Sequence, residues 1–184
     1  MVIRIARSKD STEIAALHAA SWRYSYSGVL GDEYLDRRIL SERTGVWRDR
    51  FRAPHPTQYV VVAEEQDAIV AFACAYGSEH DRWGTKLDNL HISPSQKRKS
   101  IGTKLIADVA SWSSKNYPGK GIFLWVFEQN LPARHFYEHV GGIVAGDTLR
   151  IAPDGTAVKE LLYVWKSAEE LIGSAKKNAF HLGG

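Results

Sequence analysis

The stretch Leu87–Trp112 reads LDNLHISPSQKRKSIGTKLIADVASW and decides the fold. It opens with a short apolar run, Leu87 to Ser93, which Pro94 closes because proline cannot donate a hydrogen bond to a sheet. A polar, basic loop follows from Ser95 to Ser100. Beyond the loop, apolar residues recur at helical spacing: Ile101, Leu105, Val109 and Trp112. The stretch therefore predicts a strand, a basic loop and an amphipathic helix.

The junction of loop and helix predicts an anion-binding site. The first N–H groups of a helix have no partner within it, and the helix dipole adds partial positive charge at that end. Lys97, Arg98 and Lys99 place further positive charge beside it. Gly102 would let a ligand approach the backbone without a Cβ in the way. An ordinary strand–loop–helix crossover with a solvated basic loop would give the same pattern.

This segment resembles the acetyl-CoA-binding motif of the GNAT superfamily of N-acetyltransferases, in which a hydrophobic-x-Val-x-Pro strand precedes Arg/Gln-x-x-Gly-x-Gly/Ala. Leu90 to Pro94 corresponds to the strand part, and Lys97 to Gly102 corresponds to the loop. Lys97 stands where the family usually has Arg or Gln, and Ser100 stands where it usually has Gly. A positive φ at Ser100 would be unfavourable, so either the loop is helical there or pyrophosphate binding is weaker.

Two other segments extend the resemblance. Glu128 to Glu138 reads EQNLPARHFYE, similar to the family's N-x-x-A-x-x-F-Y-E segment, and Gly141-Gly142-Ile143 replaces its usual Leu-Gly-Phe. Trp22 to Leu35 resembles the W-x-x-x-Y-x-G-x-x-x-x-x-Y-L region of one branch. Because the three matches occur in order and cover most of the chain, the chain is identified as a member of the superfamily.

Composition narrows the class of protein. A chain of 184 residues with 44% hydrophobic and 24% charged residues is typical of one soluble globular domain. The net charge of +3 is too small to indicate nucleic-acid binding. Cys74 is the only cysteine, which excludes an internal disulfide and a cysteine zinc cluster. With no signal peptide and no apolar run of membrane-spanning length, we expect a cytoplasmic protein without membrane contact.

The periodicity of the whole chain predicts the element order β-α-α-β-β-β-α-β-α-β-β. It also predicts a capping box at Asp10 and Glu13, a break in the first helix at Ser21–Gly28 and a loop at Ser78–Gly84. The resemblance implies an α/β (α+β) protein with the GNAT fold, whose central sheet is mixed, mostly antiparallel and flanked by helices. We expect a single GNAT acetyltransferase domain at 1–166, followed by a C-terminal helix and tail at 167–184.

The resemblance implies acetyl-CoA as co-substrate and no metal. The pantetheine arm would occupy a gap beside the Leu90 strand, where backbone groups of Leu90 and Ile92 pair with its amides and an N–H near Ile92 polarises the thioester carbonyl. Asn130 would bind the same arm, although it could equally be a plain helix N-cap. The acetyl-CoA site so implied comprises Leu90, Ile92, Lys97, Arg98, Lys99, Ser100, Ile101, Gly102, Thr103, Asn130, Ala133 and Tyr137.

The resemblance places the Tyr137 hydroxyl by the CoA sulfur as general acid, although Tyr137 could also be a packed helix tyrosine. The resemblance does not identify the general base, because Lys86 stands where the family often has Glu. Asp88 shares a strand face with Lys86 and could accept the amine proton directly or through water, or it could only bond a loop. Glu79 and His91 are weaker candidates.

Trp22, Tyr24 and Tyr26 are predicted to line the acceptor pocket, or else simply to pack against the sheet. The acceptor would be a primary amine on a small molecule or a protein N-terminus. The last hairpin and terminal helix could support a homodimer, on the resemblance alone.

Two alternatives remain. A GNAT-fold module that binds CoA without catalysis is suggested by Lys86, Lys97 and Ser100. The residues His135, Glu138 and His139 also match the H-x-x-E-H pattern of a zinc hydrolase. The helix that holds them is short and no second motif supplies a third ligand, so the acetyltransferase interpretation is preferred.

Overall fold

The computed structural model describes residues 1–96 and 100–180, with side chains as far as Lys177. The predictions for Lys97, Arg98, Lys99 and the last four residues lie outside the described residues. The strands are β1 (Val2–Ile5), β2 (Gln58–Glu65), β3 (Ala68–His80), β4 (Gly84–Ile92), β5 (Ile122–Phe127), β6 (Ile143–Ile151) and β7 (Ala157–Trp165). The helices are α1 (Ser11–Tyr26), α2 (Ile39–Arg52), α3 (Ile101–Asn116), α4 (Leu131–His139) and α5 (Ala168–Phe180).

The strands form one sheet in the order β1-β2-β3-β4-β5-β7-β6. Every neighbouring pair is antiparallel except β4 and β5, which are parallel and are joined by the crossover helix α3. The prediction of a mixed, mostly antiparallel sheet flanked by helices is therefore confirmed. A π-helical turn, Tyr34–Arg38, leads into α2.

Helices cover both faces of the sheet. On one face the predicted apolar stripe of α3 is buried at Ile101, Leu105 and Val109, next to α5. On the other face Trp47 of α2 packs against Phe72 of β3. No helix in the part of the chain that the structure describes is long and apolar enough to cross a membrane.

The predicted break in the first helix is wrong. Helix α1 continues through the Ser21–Gly28 stretch as far as Tyr26. Trp22 and Tyr26 lie one turn apart, and both rings pack against Phe127 at the end of β5. Packing on the sheet stabilises a helical segment whose sequence alone has weak helical periodicity.

The predicted loop at Ser78–Gly84 is also wrong, because β3 continues to His80 and β4 begins at Gly84. These two residues pair across the hairpin, so the connection between the strands is only the short turn that separates them. Little loop remains on this side of the sheet to contact a substrate.

The capping box predicted at Asp10 and Glu13 does not form, because the Asp10 side chain makes no capping hydrogen bond to α1 and both carboxylates bond elsewhere. The Asp10 carboxylate accepts a hydrogen bond from Arg7 N at 2.7 Å and pairs with Arg4 Nη1 at 2.7 Å. Glu13 accepts a hydrogen bond from Ile69 N of β3 at 3.2 Å. The Asp10 carboxylate therefore connects the start of α1 to β1 and to the segment before the helix, and the Glu13 carboxylate connects it to β3.

Two histidines lie side by side between α1 and the sheet. The ring centroids of His18 and His91 are 4.4 Å apart, and His91 Nδ1 lies 2.9 Å from Ser21 Oγ. Burial lowers the pKa of His18 well below its ordinary value and lowers the pKa of His91 to about 3. Both rings are therefore neutral at pH 7.

The histidine pair predicts a loss of stability in mild acid. Because the folded-state pKa lies below the unfolded one, stability is complete above pH 6.5 and falls as the pH approaches 3. In urea titrations we expect the free energy of unfolding to drop between pH 6.5 and 5 by roughly 1 kcal/mol per pH unit for each histidine. The His91→Gln variant, which can keep the Ser21 hydrogen bond, should have a shallower slope. Equal slopes would contradict this.

Candidate active site

A gap between β4 and β5 forms the centre of the site. Among the described residues the two parallel strands pair only through Thr85 and Lys86 of β4. The register of β4 against β3 shifts immediately after this point and leaves Asp88 as an extra residue in a β-bulge. A bulge bends its own strand, so Asp88 marks the place where β4 separates from β5.

Alternate residues of β4 direct their backbone groups into this gap. Ser93 N donates to Val70 O of β3 at 2.8 Å, and facing residues in an antiparallel pair alternate between bonded and non-bonded. His91 therefore directs its N–H and C=O at β3, whereas Leu90 and Ile92 direct theirs at the gap. Leu90 and Ile92 are the two residues that the resemblance assigns to pantetheine.

Helix α3 begins beside the end of β4. The N–H groups from Ile101 to Thr103 precede the first intrahelical hydrogen bond, which runs from Lys104 N to Ser100 O at 3.1 Å. Ser100 has a left-handed backbone, with φ 57° and ψ 16°. Three N–H groups and the positive end of the helix dipole thus meet at one point, as anion binding requires.

Gly102 lies in the first turn of α3, close to β4 and α4. The Cβ that it lacks would lie 3.3 Å from Ile92 Cδ1 and 3.3 Å from Phe136 Cζ. The close packing of α3 against β4 and α4 therefore also favours glycine at this position.

The backbone of Ser100 supplies a first test of the loop. A residue with a Cβ costs roughly 1–2 kcal/mol in the left-handed conformation, which glycine adopts freely. We expect Ser100→Gly to raise the free energy of unfolding by up to about 1 kcal/mol, the flexibility of glycine offsetting part of the gain. Thermal and urea unfolding would measure it, with Ser100→Ala as the matched control that gains nothing. A glycine variant no more stable than the alanine variant would contradict the assignment.

Helix α4 follows β5 and presents Asn130 and Tyr137. Asn130 is the N-cap of α4, since its Oδ1 accepts a hydrogen bond from Ala133 N at 3.3 Å. Its Nδ2 also lies 3.5 Å from the Tyr26 hydroxyl of α1. Capping thus accounts for one end of the Asn130 side chain, while the other end faces Tyr26.

Tyr137 is 8% exposed, and burial raises the pKa of its hydroxyl, with a further contribution from Tyr26. Within the described part of the chain this hydroxyl makes no hydrogen bond, so its proton is not committed to a protein acceptor. A protonated hydroxyl at neutral pH is the form that a general acid needs.

Three aromatic rings form a cluster next to Asn130. The centroid of Tyr26 lies 5.2 Å from that of Trp22 and 4.7 Å from that of Phe127, the last residue of β5. Tyr24 does not join them: it is 62% exposed and faces away from Trp22 and Tyr26 around the helix. Two of the three predicted acceptor residues therefore meet at the site, and the third does not.

Asp88, the residue predicted as base, is held in two ion pairs. Its Oδ2 lies 2.8 Å from Arg50 Nη2, and its Oδ1 lies 2.8 Å from Lys86 Nζ. Burial raises the pKa of Asp88, but the two cations outweigh burial and bring the pKa below its ordinary value. A carboxylate stabilised in this way is a weak proton acceptor, so the geometry favours a structural role. The pKa of His91, about 3, makes that residue no better suited.

Two residues at the site, Phe127 and Glu160, belong to no motif in the sequence. They pair across β5 and β7, so the association of distant strands brings them together. Glu160 lines a cavity of about 90 Å³ between β4 and β7. The other residues that line this cavity are Lys86, Leu87, Asp88, Trp125 and Arg150.

The histidines of the zinc-protease pattern are not arranged around a metal site. His135 and His139 are exposed, and Glu138 accepts a hydrogen bond from the Tyr163 hydroxyl at 2.6 Å. In residues 1–96 and 100–180 no group of three or more His, Cys, Asp or Glu side chains is placed to hold a metal ion. Within these residues the pattern therefore has no third ligand beside it, which a zinc hydrolase requires.

Comparison with known sequences yields one family and two relatives. The profile of the Acetyltransferase (GNAT) family matches residues 13–142. An uncharacterised N-acetyltransferase of Bacillus subtilis, YuaI, is 27% identical over 175 residues, which cover 93% of this chain and 96% of YuaI. A probable N-acetyltransferase of Mycobacterium tuberculosis is also 27% identical, over 82% of this chain and 84% of that protein.

Solved structures share the fold. The PaiA N-acetyltransferase of Thermoplasma acidophilum, in complex with coenzyme A, superposes with a TM-score of 0.67 at 19% identity, covering 87% of this chain and 98% of PaiA. YncA of Salmonella typhimurium, a putative acetyltransferase solved with acetyl-CoA, superposes with a TM-score of 0.63 at 17% identity. That match covers 90% of this chain and 92% of YncA.

Proposed function

The chain belongs to the GNAT family of acetyltransferases, and from this we propose that it transfers an acetyl group from acetyl-CoA to a primary amine. The amine attacks the thioester directly while both substrates are bound, and no covalent enzyme intermediate forms. The observation that supports this most strongly is the gap between β4 and β5, into which Leu90 and Ile92 direct backbone groups that pair with no strand among the described residues.

The residues around the gap fit acetyl-CoA. An extended pantetheine arm can add to β4 as a strand would, through the N–H and C=O groups of Leu90 and Ile92. The N–H groups of Gly102 and Thr103 at the start of α3 suit the pyrophosphate. The PaiA and YncA structures, which share this fold, were solved with CoA and acetyl-CoA respectively.

The chain's own residues then divide the chemistry. The Ile92 N–H polarises the thioester carbonyl and stabilises negative charge on its oxygen as the amine attacks. Tyr137 gives its proton to the departing thiolate and so prevents the reverse attack. Trp22, Tyr26 and Phe127 form the wall of the acceptor pocket.

Direct attack is favoured over an acyl-enzyme because the chain offers no suitable thiol. Cys74, the only cysteine, is buried in β3, and burial raises the pKa of its thiol to about 12. A thiol with such a pKa is almost wholly protonated at neutral pH and is a poor nucleophile.

The acceptor is a small-molecule amine or a protein N-terminus, and the experiment therefore tests amines of both classes. Purified protein is mixed with acetyl-CoA and a panel of polyamines, aminoglycosides, aryl amines and short peptides, and thiol release is followed. We expect saturable release with at least one amine, above the release without amine. Saturable acetyl-CoA binding with no release from a broad panel would instead favour a CoA-binding module without catalysis.

Cytoplasmic location and a homodimer stay predictions.

A further inference from the structure

Two carboxylates lie on opposite sides of one small cavity next to the gap, and only one has been considered as a base. We propose that Glu160 of β7 is the general base that accepts the amine proton, either directly or through one water in the cavity. The inference rests on the proposed acetyl transfer and adds the residue that the sequence could not identify. It replaces Asp88, whose two oxygens are both engaged by cations.

Strand pairing places Glu160 on the acceptor side of the sheet. Glu160 pairs with Phe127 across β5 and β7, and paired residues share a face of the sheet. Phe127 is the residue on which the Trp22 and Tyr26 rings pack. The Glu160 carboxylate therefore lies beside the aromatic cluster that would hold the acceptor.

The cavity connects Glu160 to the point where β4 leaves β5. It measures about 90 Å³ and has Glu160 and Arg150 on one side and Lys86 and Asp88 on the other. A water occupies roughly 30 Å³ in the liquid, so the cavity has room for a bridging water. Lys86 belongs to the last β4 pair before the gap, so a proton released at the thioester has a short route to Glu160.

The Glu160 carboxylate is held less tightly by cations than that of Asp88 and can accept that proton. The residue is 7% exposed, and its Oε2 lies 3.0 Å from Arg150 Nε but without hydrogen-bonding geometry. Burial raises the pKa of Glu160, while Arg150 and Lys86 lower it only in part. Burial acts on Asp88 too, but two hydrogen-bonded cations reverse it there. Two carboxylates with pKa values shifted in opposite directions are the usual sign of different roles.

The proton balance is closed by the residues named. The ammonium of the acceptor first gives one proton to Glu160, which passes it to solvent, and the neutral amine then attacks to form the C–N bond. The tetrahedral adduct gives its second nitrogen proton to Glu160, the C–S bond breaks, and Tyr137 protonates the thiolate. Glu160 releases this second proton to solvent and Tyr137 takes one proton back, so acetyl-CoA and an ammonium become amide, CoA thiol and one proton.

The test is the pH dependence of kcat/KM in four variants. Glu160→Gln keeps the shape but cannot accept a proton, so kcat should fall about 100-fold or more and the acidic limb should disappear. The KM for acetyl-CoA should stay within about twofold, because the base does not bind CoA. Glu128→Gln is the matched control: its half-buried carboxylate is paired with Lys159, and the variant should keep both the activity and the acidic limb of the pH profile.

Arg150→Gln supplies a readout that does not depend on the fold of the Glu160 variant. The Arg150 side chain is 58% exposed, and its charge lowers the pKa of Glu160, so its removal should move the acidic limb to higher pH. A limb that stays in place in Arg150→Gln, or near-normal kcat in folded Glu160→Gln, overturns the assignment. If the acidic limb of the pH profile disappeared only in Asp88→Asn, Asp88 and not Glu160 would be the general base. Wild-type protein inactive with every amine would overturn the proposed function itself.

Discussion

Replacing Tyr137 by Phe is expected to lower kcat about 100-fold or more while acetyl-CoA still binds, because general acids typically contribute factors of this size. The substitution removes only the hydroxyl, which makes no hydrogen bond within the described part of the chain. The ring, packed 5.9 Å from Tyr163 and 6.3 Å from Trp165 between centroids, remains in place. Catalysis should therefore suffer far more than stability.

Thiol-release kinetics and calorimetric titration with acetyl-CoA would measure the two effects separately. Tyr163→Phe is the matched control, since it removes a neighbouring hydroxyl that bonds Glu138 at 2.6 Å and has no role in the reaction. We expect Tyr163→Phe to retain kcat. If Tyr137→Phe also retained kcat, the thiolate would be protonated by solvent or by another group, and the acid role would be wrong.

Replacing Gly84 by Ala is expected to cause the largest loss of stability. Gly84 has φ +79°, and a Cβ there would lie 2.3 Å from Gly121 O and 2.8 Å from Gly121 N. Left-handed strain costs roughly 1–2 kcal/mol and overpacking typically about 1–3 kcal/mol more, so we expect a loss of about 3 kcal/mol. Because Thr85 N donates to the same Gly121 O at 2.9 Å, the last contacts that hold β4 to β5 would be strained too.

Gly119 serves as a matched control that separates the cost of left-handed strain from the cost of overpacking. Gly119 has φ +73° but no atom within 4 Å of the position its Cβ would take. Gly119→Ala should therefore lose only the conformational cost, about 1–2 kcal/mol. Urea unfolding of both variants would measure the difference, and acetyl-CoA titration would report on the gap. Equal losses in the two variants would mean that the Gly84 backbone can move away from Gly121.

The sequence predicted the order of the elements because the apolar periodicity is local. Ile101, Leu105 and Val109 recur at helical spacing, and they are the residues that α3 buries. It failed where tertiary contacts decide local structure. The Ser21–Gly28 stretch has weak helical periodicity, and its helix is stabilised by Phe127, about a hundred positions further along the chain.

The residues of the site likewise divide into those that local motifs predict and those that only tertiary contacts bring together. Leu90, Ile92, Asn130 and Tyr137 belong to contiguous motifs, so resemblance alone pointed to them. Glu160 belongs to no motif, and only the pairing of β7 beside β5 brings it to the cavity. Conversely, Asp88 looked suitable in the sequence, since Arg50, which neutralises it, lies on a distant helix.

If acetyl-CoA lies along β4 in the gap, amide hydrogen exchange measured by NMR will detect it at individual residues of this strand. The N–H groups of Leu90 and Ile92 face the gap, whereas those of Asn89 and His91 bond β3 and serve as internal controls. With saturating acetyl-CoA we expect exchange at Leu90 and Ile92 to slow strongly and exchange at the two controls to change little. Binding of acetyl-CoA that leaves the Leu90 and Ile92 amides unprotected would show that the pantetheine arm does not lie along β4.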